Sequence, residues 1–259
     1  MIQGWKIILP LVISSVLNVN QILAQGSAGT DAKIEPRYLI DLPTAGMIPH
    51  GNLALDMDVY QGGGLLVGTS IGLFDRILIG ISYGGANLIG NEKPKWNETP
   101  GFQIRVRLFN ETVVVPAIVL GFDSQGKEIY NPQLDRYIIK SLGFFAVASK
   151  NYNVLGYLSF HGGINYSLER SDGDKDPNIF VGAEKSVGPI MSILGEYNIG
   201  WNDSNEKALG RGRGYLNIGI RLSIGRGFSV GVNLKDVLKN QREITVGNRT
   251  MIIEYVKSL

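Results

Sequence analysis

The sequence predicts an all-β fold: an antiparallel transmembrane β-barrel of about twelve strands, with short periplasmic turns and longer outer loops. Two observations support this prediction. Segments of about ten residues recur in which apolar residues alternate with small, polar or charged ones, as barrel strands require. The connections between these segments alternate between tight turns and long polar stretches.

Each predicted strand has one apolar and one polar face. In GFQIRVRLF, residues 101–109, aromatic and aliphatic residues alternate with glutamine and two arginines. RILIGISYG, residues 76–84, alternates in the same way. The predicted strands are residues 52–61, 64–73, 76–85, 101–109, 112–123, 137–149, 154–169, 178–186, 190–202, 213–225, 227–236 and 249–256.

The lengths of the connections distinguish a barrel from a soluble periplasmic β-sandwich that binds a ligand, whose strands also alternate. Tight turns follow the second, fourth, sixth, eighth and tenth strands, and longer polar loops follow the third, fifth, seventh, ninth and eleventh. A sandwich has no reason to show this asymmetry. The turn at 62–64 is an exception, because it is short on the long-loop side.

Composition excludes several other classes of protein. The 259 residues are 44% hydrophobic with a formal net charge of +2. The sequence has no stripe of basic residues, so a nucleic-acid partner is not expected. Cysteine is absent, so the chain has neither disulfides nor thiolate metal ligands. No cofactor is expected. The 34 glycines lie within apolar segments, where they permit curvature of a barrel wall.

The N-terminus predicts export to the outer membrane. Residues 1–24 combine one lysine, an apolar stretch and small residues near Ala24, which is the pattern of a signal peptide. Cleavage is expected after Ala24, with Ala28 as a second option, and an uncleaved anchor is the alternative. Residues 25–51 are then a periplasmic segment that leads into the barrel, and residues 52–259 form the barrel domain.

The stretch LIDLPTAGMIPHG, residues 39–51, interrupts an apolar run with two prolines and two glycines. Proline forces extended backbone and glycine permits tight bends. We expect this stretch either to cross the periplasmic mouth or to dip into the lumen before the first strand. A plain linker is the alternative.

Charged residues on the predicted inner face are the candidate functional residues. In a narrow barrel such charges pair across the lumen and plug it, whereas in a pore they line a path for polar solutes. The mixture of signs favours pairing. The set comprises Asp56, Asp58, Arg105, Arg107, Glu184, Glu196, Arg221, Lys235 and Glu254.

Two further patterns have weaker chemical implications. In SDGDKDPN, Asp172, Asp174 and Asp176 have a spacing that can place oxygens around Ca²⁺, but the EF-hand continuation is missing, so a solvated outer loop is favoured. His50 and His161 could serve a hydrolase, yet no G-x-S-x-G motif accompanies them. The chain is therefore not expected to be an enzyme.

Four segments carry a resemblance to a known family. PTAGMIPHG (43–51), TPGFQIRVRLF (99–109), VPAIVLGFDSQG (115–126) and FFAVASKNY (144–152) resemble the YjbH-type family of bacterial outer-membrane proteins. The resemblance implies a non-enzymatic role in exopolysaccharide production or export, or in envelope structure. Its implied partners are outer-membrane lipid and polysaccharide or export-machinery proteins. The alternative is a small porin-like solute channel.

Overall fold

The computed structural model describes residues 29–30, 34–225, 227–242 and 247–258. The predicted signal peptide, residues 1–24, lies outside the described residues. Among the residues described, no helix is long and apolar enough to cross a membrane.

The described residues form fifteen β-strands and a single-turn 3₁₀ helix at Trp201–Asp203. The strands are β1 (Asn52–Tyr60), β2 (Gly64–Leu73), β3 (Ile77–Ala86), β4 (Lys95–Trp96), β5 (Gly101–Phe109), β6 (Ala117–Asp123), β7 (Lys127–Asn131), β8 (Arg136–Ile139), β9 (Gly143–Asn153), β10 (Tyr157–Tyr166), β11 (Asn178–Val187), β12 (Met191–Asn198), β13 (Tyr215–Gly225), β14 (Phe228–Lys235) and β15 (Asn248–Ser258).

Twelve of the described strands close into one antiparallel barrel. Each pairs with its neighbours in chain order, and β1 pairs with β15 from Asn52 opposite Ser258 to Val59 opposite Met251. The two-residue β4 adds to β3, while β7 and β8 form a separate hairpin in the loop after β6. The predicted fold class is confirmed. Closure leaves the wall without an open edge, as a sheet in hydrocarbon requires.

Several strand boundaries differ from the predicted ones. The fifth predicted strand began at 112, but β6 begins after Pro116, which has no N–H to donate to a neighbouring strand. The sixth was predicted as 137–149. Its first residues instead form β8, and the wall resumes at Gly143, whose φ of +62° favours glycine. The ninth was predicted to reach 202, whereas β12 ends at Asn198.

The apolar face of the wall points outward. Ile81, Phe160, Ile193 and Val232 are each at least half exposed, although they lie in the middle of paired strands. A soluble sandwich would bury this face in a core. A closed barrel with an exposed apolar band satisfies its backbone hydrogen bonds and places that band in lipid. The protein is therefore an outer-membrane β-barrel, and the soluble alternative is wrong.

The hydrophobic core lies inside the barrel. Leu42, Met47 and Ile48 from the N-terminal segment are at most 4% exposed, and they belong to one cluster with inward-facing wall residues. The wall members of that cluster include Ala54, Leu78, Val119, Phe145 and Phe180.

The outward assignment predicts a depth-dependent cost for charge on β13. Ile220→Arg, at the middle of the strand, should lower the free energy of unfolding by about 2 to 4 kcal/mol because it puts a cation at the bilayer midplane. Ile224→Arg, on the same face at the strand end, should cost about 1 kcal/mol or less. Urea unfolding in lipid vesicles measures both. Equal costs would contradict the assigned lipid face.

Candidate functional site

Residues 34–48, here called the plug, form a hairpin inside the lumen. Its turn is closed by hydrogen bonds from the Leu39 N–H to the Leu42 carbonyl and from the Thr44 N–H to the Arg37 carbonyl, both 3.0 Å. At Gly46 the backbone passes so close to the Pro36 carbonyl that a Cβ would lie 1.9 Å from its oxygen. The two arms of the hairpin therefore need glycine where they cross.

Thr30 and Gly51, on either side of the plug in the chain, both lie at the periplasmic rim. The Thr30 N–H donates to the Gly188 carbonyl in the turn after β11, at 3.1 Å. The Gly51 N–H donates to the Gly72 carbonyl near the end of β2, at 3.0 Å. The described residues between these two points, 34–48, therefore enter the lumen from the periplasmic side and return to it. Of the arrangements considered from the sequence, this is the dip into the lumen.

Glu196 on β12 binds the tip of the plug. Its carboxylate accepts the backbone N–H groups of Ile40, Asp41 and Leu42 at 3.0, 3.0 and 3.1 Å. It also accepts the Asn217 side-chain amide at 2.8 Å. Glu196 is 2% exposed, so these donors replace water around a buried anion. Successive N–H groups converging on one anion form a nest.

Arginines of the wall bind the plug carbonyls. Arg221 donates to the Leu39 carbonyl at 2.6 Å and to the Tyr38 carbonyl at 3.2 Å. Arg105 donates to the Arg37 carbonyl at 2.8 Å, and its guanidinium lies 4.3 Å from the centre of the Tyr38 ring. Both arginines are 0% exposed. The wall thus supplies donors to the plug carbonyls and an acceptor to its N–H groups.

Ion pairs fix the register of the plug. Arg37 binds Asp56 on β1, with one N–O distance of 2.7 Å, and reaches Glu254 on β15 at 3.4 Å. On the other side of the turn, Asp41 binds Lys235 on β14 at 2.7 Å. These pairs join residues of opposite sign, four positions apart in the plug, to the neighbouring strands β1, β15 and β14 of the barrel wall.

The predicted inner-face charges thus meet mainly at the plug. Arg107 binds Glu35 and the Ala45 carbonyl, while Asp58 lies 3.9 Å from Lys127. Glu184 is buried on the inner face of β11. One wall-to-wall pair, Arg221 with Glu254, spans 3.6 Å. The partners not proposed from the sequence are Glu35, Arg37, Asp41, Lys127 and Glu128. Glu35 and Arg37 precede the unusual LIDLPTAGMI stretch, and Asp41 lies within it.

His161 lies against the plug. Its Nδ1 is 2.7 Å from the Ser149 Oγ, which also accepts the Ala45 N–H at 2.8 Å. The His161 Nε2 is buried and has no hydrogen-bond partner in the described part of the chain. A hydrolase would use an acidic group at that nitrogen to orient the imidazole. The pair instead holds Ala45 of the plug, and His50 lies at the periplasmic end, stacked on Phe74.

The loops close the outer mouth. Arg136, the first residue of β8, binds Asp172 at 2.7 Å and Asp203 at 2.6 Å. Lys140, which follows β8, binds Asp172 at 2.7 Å. We call residues 124–142 the cap. Burial alone would raise the pKa of Asp172, but the hydrogen bonds from Lys140 and Arg136 outweigh it and hold the pKa below its usual range.

This arrangement corrects the interpretation of the aspartate-rich loop. The Asp172 carboxylate is used by two cations, Asp174 accepts the Ser204 N–H at 2.8 Å, and Asp176 is exposed. Within the described residues, no group of three or more His, Cys, Asp or Glu side chains is placed to hold a metal ion. Asp172 and Asp174 are buried in the outer closure, so a solvated loop describes only Asp176.

Glu196→Ala should release the plug, because it leaves three buried N–H groups without an acceptor. Each hydrogen bond to a charged group contributes about 1.5 to 3 kcal/mol. In the wild-type barrel Arg37 is 1% exposed, so trypsin should spare the bond after it. Mass spectrometry of the digested, folded variant should show cleavage there. Glu206→Ala, which removes an exposed outer-loop glutamate, is the matched control, and equal protection of all three proteins would contradict this role of Glu196.

The Asp172 pKa predicts the acid response of the cap. Because its folded value is depressed, its stabilising contribution is present above the unfolded pKa of about 3.9 and is lost as the pH falls through the folded pKa. Amides of residues 136–142 should therefore keep their hydrogen-exchange protection down to about pH 4 and lose it below. Asp172→Asn should lower protection at neutral pH. A variant with wild-type protection at all pH values would refute the link.

Comparisons with known proteins gave structural neighbours but no matching family or curated protein. No protein-family model matches the sequence, and no curated protein matches it. The structure is similar to the KdgM porin, with 11% identity and a TM-score of 0.48 over 79% of this chain and 98% of the porin. It is similar to outer membrane protein Omp33 of Acinetobacter baumannii, with 8% identity and a TM-score of 0.44 over 80% of this chain and 97% of Omp33. It is also similar to outer membrane phospholipase A from Escherichia coli, with 9% identity and a TM-score of 0.35 over 82% of this chain and 90% of the phospholipase.

Proposed function

We propose that this outer-membrane barrel acts without enzymatic activity in exopolysaccharide production or export, or in envelope structure, and that its lumen is not a permanently open solute path. The observation that carries the proposal is the plug. A hairpin of the chain itself fills the lumen, and wall side chains bind both its backbone and its charges. Contacts that hold a plug in the lumen are not consistent with a pore that is open at all times.

The family resemblance supports the polysaccharide role through the same contacts. Each of its four segments contributes to the plug or to the wall that binds it. The first contains Ala45 and Gly46 of the plug itself. The others contribute Arg105, Asp123 and Ser149, which contact Arg37, Tyr38 and Ala45 respectively. The residues behind the resemblance are therefore those that shape the filled lumen.

A porin-like channel is the second candidate function, and the wall favours it. If the plug withdrew, the wall would present Arg105, Arg221, Glu196 and Glu254 to water in a barrel of twelve strands. Mixed charges of this kind line paths for polar solutes. The two candidates differ in whether the resting barrel conducts.

Planar-bilayer recording tests this difference. The refolded wild-type protein should insert without conductance steps. Arg37→Asp should produce steps, because it turns the attraction to Asp56 into repulsion and removes the plug's cation. The double variant Arg37→Asp with Asp56→Arg should be silent again, because the swapped pair restores the attraction.

Insertion is verified separately by heat-modifiable mobility on gels. Stable steps from the wild-type protein would overturn the closed lumen and establish the porin-like alternative. In cells, deletion of the gene should lower released exopolysaccharide, and Arg37→Asp should change the yield. An unchanged yield in the deletion strain would refute the polysaccharide role without affecting the structural result.

A further inference from the structure

A chamber remains between the tip of the plug and the cap. It encloses about 720 Å³ of space when its part open to solvent is included. Asp41 and Leu42 of the plug form its floor, the cap residues 136–142 line its upper part, and its wall includes Asn165, Asn178 and Asn248 from the outer ends of strands. We call it the outer chamber.

The charges of the outer chamber already neutralise one another. Lys235 lies 2.7 Å from Asp41 and 3.5 Å from Glu128. Arg136 and Lys140 are held by the carboxylates of the cap closure described above. A charged ligand would have to compete with a carboxylate or ammonium group that is in place, at a desolvation cost.

The acidic groups of the chamber are likewise occupied. Glu196 accepts the N–H groups of the plug tip. The Asp236 carboxylate accepts the Asn240 and Gln241 N–H groups at 2.8 and 2.9 Å. Asp203 accepts the Leu209 N–H at 3.1 Å in addition to Arg136. Neither an anion nor a cation is therefore the ligand that this lining favours.

Neutral amides supply the unused hydrogen-bonding capacity. Asn248 is 3% exposed, and neither polar atom of its side chain makes a hydrogen bond of normal geometry within the described chain. Its amide lies close to the carboxyl of Glu128, whose pKa is raised by burial. Asn202 and Gln241 add two further side-chain amides to the lining of the chamber. Each amide offers two donors and a carbonyl acceptor. A ligand hydroxyl both donates and accepts, so it matches an amide in either orientation.

The chamber also has an apolar side. Leu42, Ile138, Ile139 and Leu142 line it beside the amides. A ring that carries hydroxyls on its rim and C–H groups on its face satisfies both kinds of lining. Water alone would form hydrogen bonds with the amides, but it would leave the apolar side of the chamber hydrated, which is unfavourable.

We propose that the outer chamber binds one neutral polyhydroxylated ring, the chemistry of an uncharged sugar unit, with Asn248 and Gln241 among its hydrogen-bonding partners. The proposal deepens the proposed function and rests on it for the source of the ligand. Sugar binding and polysaccharide release are nevertheless measured separately, so that either can fail alone.

Saturation-transfer NMR on the full mature protein in detergent tests the proposal. The probes are the methyl glycosides of glucose, galactose and mannose, with methyl galacturonoside as the charged match of the galactoside. At least one neutral glycoside should bind with a dissociation constant below about 20 mM, and more tightly than the galacturonoside. No neutral binding, or preference for the charged probe, overturns the proposal.

Variants locate the site. Asn248→Leu keeps the size of the side chain and should weaken neutral-sugar binding by about tenfold or more. Asn110→Leu makes the same change in the exposed periplasmic turn after β5 and should have no effect. If Asn248→Leu fails to fold, Gln241→Leu in the outer loop serves instead, with the same expectation. Binding unaffected by the chamber variant that folds overturns the site, whatever the exopolysaccharide yield of the deletion strain.

Discussion

The rest of this structure depends on one constraint: a backbone segment inside a closed barrel has no strand edge to pair with. Buried N–H and C=O groups must find hydrogen-bond partners, and every barrel strand has already used its own on two neighbours. Side chains of the wall must therefore take the place of a strand. Glu196 accepts from three successive N–H groups, and Arg105 and Arg221 donate to the carbonyls of the three residues that precede them.

This constraint explains why charged groups of the inner wall make most of the contacts to the plug backbone. A charged hydrogen-bonding group contributes about twice as much as a neutral one, and it is costly to bury unless it is fully partnered. The plug supplies partners to these wall charges, because Arg37 pairs with Asp56 and Asp41 pairs with Lys235. The plug and the wall therefore stabilise each other, and the hydrophobic contacts of Leu42 and Ile48 fill the space between them.

The sequence was informative where structure depends on neighbours along the chain. Period-two alternation located all twelve wall strands and put Arg105 and Phe102 on opposite faces, as observed. The contacts that fill the lumen depend instead on residues far apart in the chain. Ile40 and Glu196 are separated by 156 residues, and Asp41 and Lys235 by 194. No local period encodes such pairs. The predicted start of the sixth strand was wrong for a related reason. Ile138 and Ile139 extend the apolar run of that strand, but the ion pairs of Arg136 with Asp172 and Asp203 place these residues in the cap.

The same chemistry bears on whether the closed barrel is an end state or a gated one. If the plug left, its place would be taken by water, so the wall charges would be solvated and not stranded. Polar contacts to the plug would therefore be exchanged for polar contacts to water, at a modest net difference for each bond. What water cannot replace is the burial of Leu39, Leu42, Met47 and Ile48 against the wall. The charges thus make closure specific, and the burial of these apolar residues favours the closed state over the open one.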